Sequence, residues 1–404
     1  MNNSRTNVIA KDSYIHEDAI KQMENTAKIF ENIFLAVGMP DLHPGNQFPI
    51  GVSFLSHGDV IYPALVGNDI GCGMSLYQLP VESQSFHPEK VKKRLISMEG
   101  VWKGESGSDD NAWQRYCESI PHFAEVDKRF TENDEINKQI GTIGGGNHFA
   151  ELLMIEEWYG ADIVSSFNTE KALLLVHSGS RLLGQKVLEA FKEENNAKDG
   201  VHVSSAQGIA YLKHHDYACD WANANRKLIA RRFLTSIGIA LEESTQILDV
   251  WHNRVSRKEG LQIEQDNVWL HRKGAAPSDE GLVVIPGSRG AYSYLVLPIS
   301  PETHLESGYS LAHGAGRKLQ RGKAVSKIRE KYQAKCSSTS ALNELLLATP
   351  FQSAVVCDDA DLLVEEHQDA YKEIDDIVHD LVHFGLVQVV AKLKPIITYK
   401  MKRR

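Results

Sequence analysis

At 404 residues, with 42% hydrophobic and 24% charged side chains, the chain has the composition of a globular protein and not of a disordered or fibrous one. A formal net charge of −9 excludes a surface that is basic throughout, so any contact with nucleic acid has to be local. No apolar run is long enough to span a bilayer, Met1 to Lys11 lacks a signal-peptide core, and the five cysteines are scattered without a C-x-x-C pair; reduced thiols, a cytoplasmic address and no membrane partner are expected.

In chain order, apolar spacing predicts a helix over Ile15 to Phe30, a buried strand over Ile50 to Leu55 and a helix over Pro88 to Ser97. Lys103 to Asn111, rich in Gly, Ser and Asp, reads as an exposed loop. A strand at Leu173 to Val176 precedes helices at Arg181 to Glu194 and Ser205 to Phe233, and strands follow at Ile247 to Val250, Val268 to Leu270 and Leu282 to Ile285. Helices over Arg317 to Lys335 and Ile374 to His383 end the series. No regular βαβ alternation, repeat or linker is visible, so the expected fold is α+β: one domain, 1–404, with substantial sheet flanked by helices. Basic residues cluster at Arg226 to Arg232, Arg254 to Lys258, Arg317 to Lys331 and Lys392 to Arg404; each could line an RNA groove, though a solvated helix face is the commoner meaning.

Ligand-capable residues sit in glycine-rich turns at the ends of apolar runs. Such turns occur at Val66-Gly-Asn-Asp-Ile-Gly-Cys-Gly73, Ile143-Gly-Gly-Gly-Asn-His-Phe-Ala-Glu151, Val176-His-Ser-Gly-Ser-Arg181, Asp249-Val-Trp-His-Asn253 and Ser310-Leu-Ala-His-Gly-Ala-Gly-Arg317. A lone His or Cys in such a place is usually structural. Together, Asp69, Cys72, His148, His177 and His252 supply a carboxylate, a thiol and three imidazoles, enough for a metal pair with open positions. Ligand type leaves zinc or manganese open, and a metal-bound Cys72 would be thiolate. His313 differs, because small neighbours leave its ring accessible and Arg317 and Arg321 follow at helical spacing as bidentate phosphate donors. Neutral imidazole is a competent nucleophile near pH 7, so the segment suits attack on phosphorus. The bland alternative is a glycine-rich anion-binding turn with a bystander His.

Gly38-Met-Pro-Asp-Leu-His-Pro-Gly45, Asp-Ile-Gly-Cys-Gly, Gly-Gly-Gly-Asn-His-Phe, His-Ser-Gly-Ser-Arg, His271-Arg-Lys-Gly-Ala275, Ile285-Pro-Gly-Ser288 and His-Gly-Ala-Gly-Arg together resemble, in the same order, the RtcB family of RNA ligases. The form of the Cys72 block and of Leu270 to Asp279 is most similar to a bacterial subfamily linked to a release-factor-like partner. The resemblance implies a GTP- and manganese-dependent enzyme with two Mn²⁺ per site. It would join RNA 2′,3′-cyclic phosphate or 3′-phosphate ends to 5′-hydroxyl ends through a guanylylated His313. Asp69, Cys72 and His148 would hold one Mn²⁺ and Cys72, His177 and His252 the other, with Asp41 orienting a ligand or the nucleophile. Nucleotide contacts carried over are Asn147, Phe149, Glu151, Asn253, Ser288, Ser293, Ala315, Gly316, Tyr371 and Lys400. Glu151 suits guanine, whose ring N–H and amine it can accept. Expected RNA or phosphate contacts are Arg181, Lys273, Arg289, Arg317 and Arg321. Arg289 stands where the commoner ligases have an apolar residue, and Met401 to Arg404 run past their usual end. Two rivals compete: a metal- and GTP-binding translation accessory without ligase activity, and a metal-dependent phosphodiesterase, which needs no nucleophilic His.

Overall fold

The computed structural model describes residues 5–96, 98, 100–160, 167–196, 199–263, 266–299, 304–336 and 338–400. Its architecture is α+β, and two sheets position everything of chemical interest. The larger, antiparallel along its path, runs in the spatial order Val283–Pro286, Ser293–Pro298, Val387–Tyr399, Phe149–Trp158, Lys171–Ser178, Gly73–Glu82 and Thr245–Trp251, with Ala354–Val356 parallel to Val387–Tyr399 at the side. Lys171–Ser178 is a nearly unbroken apolar run because both its faces are covered. Leu174 and Val176 pack with Ile229 and Phe233 of the helix Ala206–Ile237, while Leu173 and Leu175 pack with Val284, Leu295 and Val390.

That helix is 32 residues long. Ser205 Oγ caps its start by accepting the Gly208 N–H at 3.0 Å, and Gly238, at φ +87°, closes it in the left-handed region that glycine enters without strain. The second sheet has the order Arg5–Val8, Ile33–His43, Ile50–Ser56, Asp266–Lys273 and Asn253–Ile263. The helix Glu17–Ile29 buries Ala19, Met23 and Ala27 against Ile33, Ala36 and Phe54. His252 lies between Thr245–Trp251 and Asn253–Ile263, where the chain passes from the first sheet into the second.

Most expected elements are present with shifted ends. The helix expected from Pro88 spans Pro88–Leu95, and Ser97, its expected last residue, lies outside the described residues, as do Met401 to Arg404. The expected helix from Arg317 begins instead at Arg321 and ends at Gln333. Arg317 bridges to Tyr371 as extended backbone, because its guanidinium is tied to the 365–371 segment. Arg181, expected to start a helix, precedes Leu182–Glu194 with φ +57°. Lys103 to Asn111 forms no helix or strand. Among the described residues, no helix is long and apolar enough to cross a membrane.

Candidate active site

Four neighbouring strands of the large sheet deliver the side chains that could ligate a metal to one edge, and antiparallel order explains how. Phe149–Trp158 starts just after His148, Lys171–Ser178 ends with His177 and Ser178, Gly73–Glu82 starts just after Cys72, and Thr245–Trp251 ends just before His252. Starts and ends alternate as strand direction alternates, so all four fall on the same side. The register pairs Phe149 with His177, and Gly73 with both Ser178 and Trp251.

The donor atoms converge. Cys72 Sγ is 3.3 Å from both His148 Nε2 and His177 Nε2, His148 Nε2 is 3.0 Å from Asp69 Oδ2, and His177 Nε2 is 3.3 Å from His252 Nε2. Two groups result, Asp69–Cys72–His148 and Cys72–His177–His252, each with its ligand atoms within 4.8 Å of one another. His148 Nδ1 lies 3.1 Å from the Ile143 carbonyl, which can only accept, so Nδ1 is a donor; Nε2 faces Asp69 Oδ2 and Cys72 Sγ, where a bound cation would take its lone pair. Burial, reinforced by neighbouring imidazoles including His313, drives the His177 and His252 rings well below the ordinary histidine range, which leaves both neutral. Burial alone would raise the Asp69 carboxyl, but the His148 imidazole outweighs it and holds Asp69 well below the usual carboxylate range. The Cys72 thiol is pushed up by burial and by Asp69, so a cation is what would make it thiolate. Neutral rings, a carboxylate and a thiol facing one another suit metal cations.

Two residues outside the motifs hold this edge in place. Arg226, wholly buried, donates from Nη1 to the carbonyls of Gly71 (2.8 Å) and Ser178 (3.0 Å) and pairs with Asp249, while Asn225 Nδ2 reaches the Gly179 carbonyl at 3.1 Å. Arg226 to Arg232 could line an RNA groove or, more commonly for such a cluster, form a solvated helix face; Arg226 does neither, being wholly buried. Of its neighbours, Arg231 pairs with Glu105 and Glu242, and Arg232 donates to the carbonyls of Gly100 and Gly141. Arg254 and Lys258 of the next cluster are likewise paired, with Glu280 and Asp279.

His313 follows the short strand Ser310–Ala312, and Asp41 comes from Ile33–His43 of the second sheet. Asp41 Oδ2 accepts both the His313 backbone N–H at 3.1 Å and the ring Nδ1–H at 2.6 Å. The ring therefore presents Nε2 as its lone-pair atom, with its centroid 4.8 Å from that of His252. Lys372 Nζ donates to the carbonyls of Pro40 (2.9 Å) and Leu42 (2.8 Å), on either side of Asp41, and its backbone N–H donates to the Gly316 carbonyl. Gly316 has φ +66°, and a Cβ there would lie 2.3 Å from the Asp41 carbonyl oxygen, so the two loops touch backbone to backbone. Neither Lys372 nor Arg226 carries a motif signal; each is one basic residue among many.

A cavity of about 1240 Å³ opens over these groups. All the sequence-derived site residues line it except Asp41, which stands behind His313, and Ser293, whose Oγ is buried in strand Ser293–Pro298. Glu151 Oε1 accepts from Thr398 Oγ1 at 2.5 Å, and Lys400 Nζ donates to the His148 carbonyl at 3.0 Å while lying over the Phe149 ring. Asn253 Nδ2 donates to the Asp69 carbonyl and its Oδ1 accepts the Gly274 N–H, so its amide spans two loops. Lys273 Nζ donates to the Val66 carbonyl, and burial, opposed by Asp69, brings its ammonium down to about 8.

The expected phosphate donors differ in availability. Arg317 is committed within the protein: Nε to the Leu319 carbonyl, Nη1 to Glu366 and the Tyr371 hydroxyl, Nη2 to the Glu365 carbonyl. Arg289 is buried with Nη2 on the Leu346 carbonyl, while its side chain lines the cavity and its Nη1 has no hydrogen-bond partner among the described residues. Arg321, more than half exposed, pairs with Glu365 at the rim.

Comparison with known proteins bears on this site. A family model described as tRNA-splicing ligase RtcB matches residues 22–100 and 90–401. The chain is 39% identical over 395 residues, 97% of its length and 94% of the relative's, to the RNA-splicing ligase RtcB2 of an Escherichia coli strain. It is 28% identical over 457 residues, covering 94% of this chain and 91% of the relative, to the tRNA-splicing ligase RtcB of Methanococcus maripaludis. With the RNA-splicing ligase RtcB homolog 1 of Entamoeba histolytica it shares 26% identity over 449 residues, covering 94% and 83%.

Proposed function

The chain belongs to the RtcB family, and from that premise we propose that it is a GTP-dependent RNA ligase that joins 3′-phosphate or 2′,3′-cyclic phosphate ends to 5′-hydroxyl ends through a guanylylated His313. The observation that carries the reading is the hydrogen bond from His313 Nδ1 to Asp41 Oδ2, 2.6 Å long, which leaves Nε2 as a lone pair at a cavity lined with metal-ligating residues.

Asp69, Cys72 and His148 would hold one Mn²⁺ and Cys72, His177 and His252 the other, with Cys72 between them. Bound there, two divalent cations neutralise phosphate charge and polarise phosphorus toward attack. His313 Nε2 attacks the α-phosphorus of GTP; the N–P bond forms as the bond to the β-phosphate bridging oxygen breaks and pyrophosphate leaves. The ring becomes cationic, and the Asp41 carboxylate at Nδ1 stabilises it. An RNA 3′-phosphate oxygen then takes the GMP from His313, a cyclic phosphate having first been opened by water. The 5′-hydroxyl oxygen of the second end attacks the 3′-phosphorus, and GMP departs as the strand is sealed. Glu151 and Lys400 line the cavity as an acceptor and a donor for guanine, with Phe149 beneath them. The working location is the cytoplasm, and a release-factor-like protein is the proposed partner. All of residues 1–404 act as one catalytic domain.

His313→Ala tests the proposal against both rivals. Incubated with α-³²P-labelled GTP and Mn²⁺, the unaltered chain becomes labelled through an acid-labile, base-stable bond, as a phosphoramidate requires. The variant keeps its metal content but takes no label and joins no ends. Substantial joining by a metal-replete His313→Ala protein would mean that another group is the nucleophile.

A further inference from the structure

Asp41 holds a second imidazole as well as His313. His43 Nδ1 lies 2.8 Å from the Asp41 backbone carbonyl, and its side chain lines the cavity. A carbonyl oxygen only accepts, so His43 keeps its proton on Nδ1, and its Nε2, like that of His313, carries a lone pair. No other described residue takes a hydrogen bond from or gives one to that Nε2. Burial brings the ring's pKa down to about 4 against the opposing pull of the Asp41 carbonyl, so the ring is neutral at physiological pH. The Lys372 ammonium on the carbonyls of Pro40 and Leu42 fixes the backbone from which both imidazoles hang.

The order of the rings gives His43 a direction. His148, His177, His252 and His313 follow one another in ring contact, with centroid separations of 5.1, 5.0 and 4.8 Å. Lys400, over the Phe149 ring, is bonded to the His148 carbonyl at the first end of this row. His43 is joined to the other end through Asp41. Displacement at phosphorus is in line, so the attacking and leaving oxygens stand on opposite sides. Taking the guanine end of the cavity for the leaving GMP, the incoming oxygen belongs on the side of His43.

Resting on the ligase reading above, we propose that His43 is a catalytic residue of the sealing step, accepting at Nε2 the proton of the RNA 5′-hydroxyl. The O–H bond breaks as the 5′-oxygen–phosphorus bond forms, the bond from that phosphorus to GMP breaks, and the proton passes from Nε2 to solvent once GMP has gone. The ring is in the form that can take up a proton, because Nδ1 is held as the donor and Nε2 faces the cavity unengaged by any described residue.

The test compares the unaltered chain with His43→Asn and His43→Ala, using a 3′-phosphate RNA, a 5′-hydroxyl RNA, GTP and Mn²⁺, and following both the GMP-capped 3′ end and the joined strand. The asparagine amide can still donate to the Asp41 carbonyl but has no atom in place of Nε2, so it keeps the structural contact and deletes the base. Sealing is expected to fall by about 100-fold or more in both variants, with the GMP-capped end accumulating, and added imidazole should partly restore sealing in His43→Ala. Sealing by His43→Asn within a few-fold of the unaltered chain would overturn the proposal, as would a failure of that variant to form the GMP-capped 3′ end. If the unaltered chain itself joins no ends, the ligase reading falls and this inference with it.

Discussion

Glu151 is buried beside Lys400, and its carboxyl is raised to about 7: burial pushes it up, while the Thr398 hydroxyl and the Lys400 ammonium pull against the rise. Guanine presents two donors on one edge, and only an ionised carboxylate accepts from both with two oxygens. Because the folded group titrates above the ordinary carboxylate range, it is mostly protonated at pH 6 and mostly ionised at pH 8. GTP affinity should therefore rise about tenfold between those values and level off above them, and Glu151→Gln should bind more weakly with a flat profile. Titration calorimetry across this range checks it; a pH-independent affinity in the unaltered chain would place base reading elsewhere. At this scale, residue type and glycine context made the residues that converge on the cavity, among them Cys72, His177 and His313, legible. The hydrogen bond from His43 to the Asp41 carbonyl and the Lys372 clamp were not, because each depends on which carbonyl lies opposite, and that is set by folding.

At the scale of elements, the decisive fact is the alternation of starts and ends along four antiparallel strands, which brings residues from positions 69 to 252 to one edge. Hydrophobic runs revealed several strands but not their order. Nor did they reveal that the helix Ala206–Ile237 would send Arg226 into the sheet edge as a brace. Arg226→Met removes the partner of Asp249 and two hydrogen bonds to the carbonyls of Gly71 and Ser178, next in sequence to Cys72 and His177 of the proposed metal site. The expected cost is about 3–5 kcal/mol, since it strands a partly buried carboxylate. Adding Asp249→Leu should recover part of the stability but not the metal affinity, because the two carbonyls stay unbraced. Urea unfolding and Mn²⁺ titration of the single and double variants separate these effects; full recovery of both would reduce Arg226 to an ion-pair partner.

For the whole molecule, the two sheets matter because neither holds a complete site. The large sheet supplies the edge whose donors could hold metal, the second supplies Asp41 and His43, and His252 sits where the chain crosses between them. A cation that binds the folded edge and not the unfolded chain should stabilise the molecule by about 2.7 kcal/mol at a hundred times its Kd. Calorimetric scans with and without Mn²⁺ should show a higher Tm with the metal, and Cys72→Ala, which takes a donor from both ligand groups, should abolish the shift and guanylylation together. An undiminished shift in Cys72→Ala would mean that Mn²⁺ stabilises the fold from another place.

The α+β class, the family resemblance and the residue types at the site are legible in residue order, because glycine-flanked His, Cys and Asp at the ends of apolar runs are local features. Tertiary structure alone decided which cations are free and which tautomers the imidazoles hold. Arg317, Arg226 and Arg254 all read as available charge, yet each is paired with a carboxylate distant in sequence. An imidazole's proton is placed by the acceptor it faces, and for His313 that acceptor is 272 positions away.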